Sequence, residues 1–310
     1  MREHPYLSTP PVAIAHRGGY TSDGEGSDEL AQRQENTMAA FSGAVALGYR
    51  YLETDAHTTS DGVLISFHDD RLDRVTDRVG LIRSLAYADL REARIGGEYE
   101  IPTMEELFRA FDGERGRSAD GPGPSTDEAS RSAQAPGPST NEASRSTSGF
   151  GDVGGRPVCF NVDLKANGAV VPMVRLVARL GVGNRVCVAS FSSPRLWAFR
   201  ALSRLRSGHR RAATSAGPIG VAALRLLPDA LARWIHSPGI AYQVPVTTTI
   251  LGREIRVVTS GFVRRAHALG KQVHVWTIND EQEMRELLDL GVDGIVTDRI
   301  DVLNRVLATR

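Results

Sequence analysis

Cysteine and lysine are nearly missing from this chain of 310 residues, each occurring twice. Cys159 and Cys187 lie inside apolar, strand-like runs, which reads as small buried thiols and excludes a disulfide framework or a cysteine-rich metal site. Long hydrophobic runs are also missing. No stretch of about 18 consecutive apolar residues occurs, so no membrane span or stable membrane insertion is expected. The opening Met1-Arg2-Glu3-His4-Pro5 carries no apolar signal region, and the expected location is cytoplasmic. Nor is there an excess of charge of either sign. With 37 basic and 37 acidic residues the formal net charge is zero, which leaves no electrostatic footprint for nucleic acid. Positive charge is otherwise written as arginine, so Lys165 and Lys271 stand where a compact ammonium answers a specific need.

Hydrophobic patterning stops from 113 to 156, where Gly, Pro, Ser, Thr, Asp and Glu dominate and Pro122–Ser132 (PGPSTDEASRS) recurs at Pro136–Ser146 (PGPSTNEASRS). Such a segment buries too little apolar surface to offset its ordering entropy and is predicted to be a disordered insertion. Removing its 44 residues from 310 leaves 266, the size of one (β/α)8 barrel. The rest alternates short apolar strands with amphipathic helices. Strands are predicted at 12–16, 50–56, 63–67, 157–164, 185–190, 210–214, 240–244, 272–276 and 293–297, one more than a barrel needs. The third follows its predecessor through Thr59-Ser60-Asp61-Gly62, a turn so tight that it makes only an antiparallel hairpin. It therefore belongs to a small excursion, 57–102, ending at a helix whose Thr103 and Glu106 form a capping box. Other helices are predicted at 37–47, 169–180, 194–205, 220–235, 260–269 and 280–290, the fourth with Arg225, Asp229 and Arg233 as its solvated stripe. The fold class is thus α/β, a single-domain (β/α)8 TIM barrel over 1–310.

Polar residues gather at the ends of these strands. His16 closes the first, Glu53 and Asp55 share one face of the second, His68 follows the hairpin strand, and Asp163 with Lys165 repeats the paired geometry on another. In a parallel barrel they all approach the C-terminal mouth. Three carboxylates converging there would repel unless a hard divalent cation with oxygen ligands neutralised them, which favours Mg²⁺ or Ca²⁺ over zinc. The competing reading pairs the acids with Arg17 and Lys165. His57, His209, His236 and His267 read as structural residues. His274, two residues before Trp276 on one strand face, is a weaker candidate for the mouth, as are Ser190 and Gln243 for substrate hydroxyls.

His16-Arg17-Gly18, Glu35-Asn36-Thr37, Glu53-Thr54-Asp55, Thr59-Ser60-Asp61-Gly62, His68-Asp69, Asn161-Val162-Asp163-Leu164-Lys165, Val275-Trp276-Thr277-Ile278-Asn279 and Gly291–Asp298, in this order, resemble the glycerophosphodiester phosphodiesterases. The resemblance runs from 12 to about 305 outside the insertion. It implies a (β/α)8 barrel with a small insertion after the second strand, and a small-molecule glycerophosphodiester as substrate. It further implies that Glu53, Asp55 and Asp163 bind the metal and that His16 and His68 are acid and base. Arg17 and Lys165 would hold the phosphate and Trp276 would pack against the glycerol. Glu35, placed after the long loop, is expected to bind the substrate or to support the residues that do, the alternative being that it supports the helix starting near Asn36. Two departures concern Gln34, where a proline usually stands, and a long acidic loop from Gly19 to Gln34. Rival readings are a sphingomyelinase D-like phospholipase and a non-catalytic barrel that binds a phosphorylated metabolite.

Overall fold

The computed structural model describes residues 4–21, 34–112, 152–153, 156–206, 211–228, 237–250 and 252–310. Eight parallel strands carry the architecture: β1 (Val12–Tyr20), β2 (Tyr51–Thr58), β3 (Cys159–Leu164), β4 (Val186–Ala189), β5 (Ala213–Thr214), β6 (Ala241–Pro245), β7 (Gln272–Trp276) and β8 (Gly294–Arg299). Sequence neighbours pair from β1 to β5 and from β6 to β8, and β8 returns to β1. A parallel bridge from Ser215 to Ala241 and a bond from the Ala216 N–H to the Ala241 carbonyl join β5 to β6, so the ring is a nearly closed (β/α)8 barrel. The strands are buried on both faces, as helices outside and a packed interior require. In β3 every residue of Cys-Phe-Asn-Val-Asp-Leu is buried. Cys159 and Cys187 are free, buried thiols, as expected.

Helices α1 (Met38–Ala46), α2 (Met104–Ala110), α3 (Val170–Leu180), α4 (Ser193–Arg206), α5 (Pro218–Leu226), α6 (Ser260–Ala268), α7 (Glu281–Asp289) and α8 (Ile300–Ala308) surround the ring. Thr103 and Glu106 form the predicted capping box at the start of α2. Thr37 caps α1, accepting from the Ala40 N–H. The helix expected over 220–235 is corrected: α5 begins at Pro218 and stops at Leu226, with Leu227 extended at ψ 150°. Pro228 is the cause, because its ring disfavours helical backbone in the residue before it. Of the supposed stripe, Arg225 lies on α5, while Asp229 and Arg233 fall outside the described residues, as do His209 and His236. Most of the low-complexity segment also lies outside them; at its end Asp152–Val153 pairs antiparallel with Arg156–Pro157.

The excursion is a small unit with its own core. Leu64–Ser66 pairs antiparallel with β2, Ala56 opposite Ser66. Ile65, Phe67, Leu72, Val75, Ile82 and Leu90 pack under it, apart from the barrel core. This hairpin folds the chain back so that His68 returns to the level of the carboxylates on β2, held by a bond from the Phe67 N–H to the Asp55 carbonyl.

His274 is placed differently from the weaker expectation made for it. It lies inside the barrel beneath the mouth, 1% exposed, its Nε2 2.9 Å from Gln272 Oε1. Gly294 stands opposite it on β8, and a Cβ there would come within 2.7 Å of the imidazole, so this glycine makes room for the ring. Burial pushes the pKa of His274 down to about 4, with Asp293 opposing weakly. The ring is therefore neutral when folded, whereas the unfolded chain takes up a proton below about 6.5. Stability supplied by His274 is complete above that value and is lost as the pH falls toward 4. We predict that His274→Met flattens this dependence by up to about 3 kcal/mol, measured by urea unfolding of both proteins between pH 7 and about 4. A wild-type minus variant difference that stays constant across the window would contradict it.

Candidate active site

The C-terminal end of the barrel opens into a cavity of about 520 Å³ whose floor includes His16, Arg17, Glu53, Asp55, Asp163 and Lys165. Local backbone explains how β1 delivers two of these side chains. Arg17, Gly18 and Gly19 all have positive φ, at 52°, 92° and 62°, and the pairing of β1 with β8 shifts register between Ala15 and Tyr20. This kink directs the Arg17 N–H at Glu53 Oε2, 3.1 Å away. Gly18 is obligatory on packing grounds as well, since a Cβ would lie 2.6 Å from that of Ala40.

Charge at the floor is balanced by direct pairing. Lys165 Nζ lies 3.0 Å from Asp55 and 2.9 Å from Asp163, and Arg17 Nε lies 3.2 Å from Asp55. The alternative weighed from sequence, ion pairs with Arg17 and Lys165, is thus realised. Repulsion among bare carboxylates does not by itself require a metal. Among the described residues no group of three or more His, Cys, Asp or Glu is drawn together as a ready metal site. The donor set nevertheless fits a hard cation. Burial and the neighbouring charge of Asp55 push Glu53 up to about 7, and Asp163 Oδ1 is buried without a hydrogen-bond partner. Burial also raises Asp163, against the pull of Lys165. Asp55 goes the other way, because Lys165 and Arg17 outweigh its burial and hold it below the usual carboxylate range.

Each candidate catalytic histidine is backed by an aspartate that sequence reasoning left without a role. His16 Nδ1 lies 2.6 Å from Asp298 Oδ1, and Asn279 Nδ2 donates to the other oxygen of Asp298 at 2.8 Å. Burial disfavours charge on His16, but the Asp298 hydrogen bond and the charge of Glu53 outweigh it and raise its pKa. His68 Nδ1 lies 2.6 Å from Asp69 Oδ1, and Arg74 Nε donates to Asp69 Oδ2 at 2.6 Å. Arg74 also reaches Glu35, which accepts from Arg17. Of the two roles expected for Glu35, the geometry gives the supporting one: it is not part of the cavity wall and braces Arg17 and Arg74 from behind. Asn36 is a further residue not singled out from sequence. Fully buried with φ 61°, it donates to Asp55 Oδ2 and accepts from Thr54. Its place in Glu35-Asn36-Thr37, beside a motif acid, was the available signal.

Trp276 lines the cavity with its ring edge-on to Phe191, and Ser190 and Gln243 line it too, Gln243 donating to Asn161 Oδ1 at 3.0 Å. His57 is structural, with Nε2 bonded to the His68 carbonyl at 3.0 Å, and His267 pairs with Asp293 away from the cavity. The acidic loop after Gly19 lies, over 22–33, outside the described residues.

Residues 16–302 match the glycerophosphoryl diester phosphodiesterase family. The chain belongs to that family. It is 33% identical to "Probable glycerophosphodiester phosphodiesterase 2" of Mycobacterium tuberculosis over 96% of this chain and 91% of that protein. It superposes on a phosphodiesterase from Oleispira antarctica, solved with the product sn-glycerol-3-phosphate, at a TM-score of 0.64 and 20% identity, covering 96% of this chain and 97% of that one. A glycerophosphodiester phosphodiesterase from Parabacteroides distasonis gives a TM-score of 0.62 at 19% identity, covering 98% and 99%.

In this phosphodiesterase-family chain the two aspartates fix ring orientation without lining the cavity. Asp298→Asn and Asp69→Asn are each predicted to lower kcat about 10²-fold, the lower end of what one acid or base group contributes, with unfolding midpoints nearly unchanged. Arg74→Ala should reproduce the Asp69→Asn defect in part, because it releases Asp69 and Glu35 together. Steady-state kinetics beside urea melts check this, and full activity in Asp298→Asn would remove Asp298 from the machinery.

Proposed function

We propose that this chain hydrolyses glycerophosphodiesters, such as glycerophosphocholine or glycerophosphoethanolamine, to sn-glycerol 3-phosphate and an alcohol. The observation that carries the reading is the meeting, in one barrel-mouth cavity, of two aspartate-backed histidines with three carboxylates and two cations. A phosphodiester is anionic, so a catalyst must offset its charge, activate a nucleophile and protonate the departing alkoxide. Arg17 and Lys165 reach the cavity and present positive charge to the phosphoryl oxygens. Their own carboxylate partners hold them in place and raise their pKa values against burial, so both stay charged.

Proton transfer falls to the histidines. In the neutral ring, donation of Nδ1–H to aspartate leaves Nε2 for exchange with the substrate, and the aspartate stabilises the imidazolium once a proton arrives. One histidine acts as base toward the nucleophile, the other as acid toward the leaving oxygen. Glu53, Asp55 and Asp163 would hold a divalent cation, Mg²⁺ or Ca²⁺, which supplies Lewis-acid neutralisation of the phosphoryl group. Trp276, beside Gln243 and Asn161, closes the wall against which the glycerol rests.

A panel of glycerophosphodiesters, with coupled detection of sn-glycerol 3-phosphate, tests the reading. Turnover is expected to disappear on chelation and return with Mg²⁺ or Ca²⁺. His16→Ala and His68→Ala should each lower kcat/KM by about 10²- to 10⁴-fold. Wild-type rates in both alanine variants would refute the acid–base assignment, and turnover indifferent to chelation would refute the cation.

A further inference from the structure

The zero net charge of this chain conceals two parts of opposite sign. Residues 164–279 hold 17 of the 37 basic residues but two of the 37 acids, Asp229 and Glu254. Outside that stretch Arg71, Arg94, Arg285 and Arg305 each pair with a carboxylate. Within it, Arg179 reaches Glu105 across the border with α2, whereas Arg200, Arg225 and Arg256 donate to hydroxyl or carbonyl oxygens, which orients them without neutralising them. Arg175 of α3 and Arg204 of α4 are exposed and, among the described residues, reach no carboxylate.

Exposed carbon gathers in the same part. Eight large hydrophobic side chains are exposed among the described residues, and six of them, Val171, Phe191, Trp197, Leu205, Ile219 and Leu226, belong to it. The pattern is clearest on α4. A helix on the outside of a globular fold turns a polar stripe to water, yet the outer stripe of α4 is Trp197, Ala198, Ala201 and Leu205, with Arg204 beside them. Trp197 is 54% exposed and Leu205 82%. The start of α5 lies against the start of α4, the Ile219 N–H donating to Ser193 Oγ at 3.3 Å, so Ile219 extends this patch. On the other flank α3 packs on α4 and shows Val171 and Arg175 one turn apart.

We propose that the face formed by α3, α4 and α5 docks on an anionic lipid surface, with α4 lying along the interface. Trp197 and Leu205 then enter the boundary between head groups and acyl chains, and the surrounding arginines meet lipid phosphates. Adsorption of this kind needs no spanning helix and leaves the barrel outside the hydrocarbon. Charge decides the sign of the partner, since arginines without carboxylates are offset by an anionic surface, while the acid-rich remainder of the chain is turned away from it. Exposed carbon decides its class. Leu205 and Ile219 gain by leaving water for hydrocarbon, whereas a nucleic acid offers phosphates and bases that reward cations and aromatic planes. A second copy of the chain would bring the same arginines face to face across a two-fold axis. The dock concerns the outside of the barrel and stands independently of the hydrolase reading.

Co-sedimentation of the full chain with unilamellar vesicles tests the dock with no substrate present. Vesicles of equal parts phosphatidylglycerol and phosphatidylcholine are expected to bind about 10²-fold more tightly than phosphatidylcholine alone, at about fivefold per engaged arginine. Binding should be lost between about 0.1 M and 1 M salt, as the Debye length falls from about 10 Å to about 3 Å. The double variant Arg175→Gln, Arg204→Gln should bind about 25-fold more weakly and Trp197→Ala about tenfold. These positions are exposed, so urea midpoints and turnover of a soluble diester should match wild type. Equal binding to anionic and neutral vesicles, or binding to neither, overturns the proposal. So does vesicle binding that both variants retain in full. Binding to duplex DNA without binding to vesicles would give the face to nucleic acid, and a dimer dispersed by Trp197→Ala without vesicle binding would give it to a second copy; either result overturns the lipid dock.

Discussion

Burial of three carboxylates at one end of a barrel is the constraint from which the rest of this molecule follows. Glu53, Asp55 and Asp163 sit on adjacent strands with side chains almost withdrawn from water. Charges so placed are tolerated only when paired, and removing one partner of such a pair typically destabilises by about 3–5 kcal/mol. Lys165 spans two of the acids, Arg17 reaches a third position through its backbone N–H and Asp55 through its guanidinium, and Asn36 adds a neutral donor. The pairing is incomplete at Glu53 and Asp163, both pushed upward by burial. The floor thus combines two paired cations with two acids whose charge is less fully offset.

From this floor outward, each layer orients the one inside it. Asp298 and Asp69 hold the histidines, Asn279 holds Asp298, and Arg74 holds Asp69 while also gripping Glu35 behind Arg17. The excursion after β2 contributes His68, Asp69 and Arg74 and has its own apolar cluster. Its independence from the barrel core makes it a rigid bracket: the small core fixes Arg74, and Arg74 ties the bracket to β1 through Glu35 and Arg17.

The barrel strands were legible because each is a short run buried on both faces, and the Asp61-Gly62 turn removed the one strand too many. The paired residues two apart on β2 and β3 pointed to a common mouth for the same reason of strand periodicity. Less legible were roles set by partners distant in sequence. Asp298 lies 282 residues from His16 and Glu35 lies 39 from Arg74, so no local spacing exposes either contact. The pairing of Lys165 with both Asp55 and Asp163 was also not legible, because acids on strand faces mark a shared mouth and not where a long side chain settles. His274 shares a face with Trp276, but periodicity gives the face and not the depth, and one layer deeper places it in the sealed interior. The end of α5 was overrun because its apolar pattern continues past Leu226, while Pro228 ends the helix irrespective of pattern.

Why the charged and apolar halves of the cavity fall on opposite sides follows from chain order in a closed ring. Strands β1 to β3 are contiguous, so the acids and cations they carry necessarily form one sector, and the excursion after β2 returns its histidine to that sector. The β5 to β7 sector lies across the ring and, among the described residues, contributes none of those ion pairs. Apolar side chains are the economical filling for it, and Phe191 and Trp276 stand at the seam, with Lys165 Nζ 5.7 Å above the Phe191 ring. Each half of the cavity therefore takes its character from the strands beneath it, the charged floor from β1 to β3 and the apolar wall from the β5 to β7 sector.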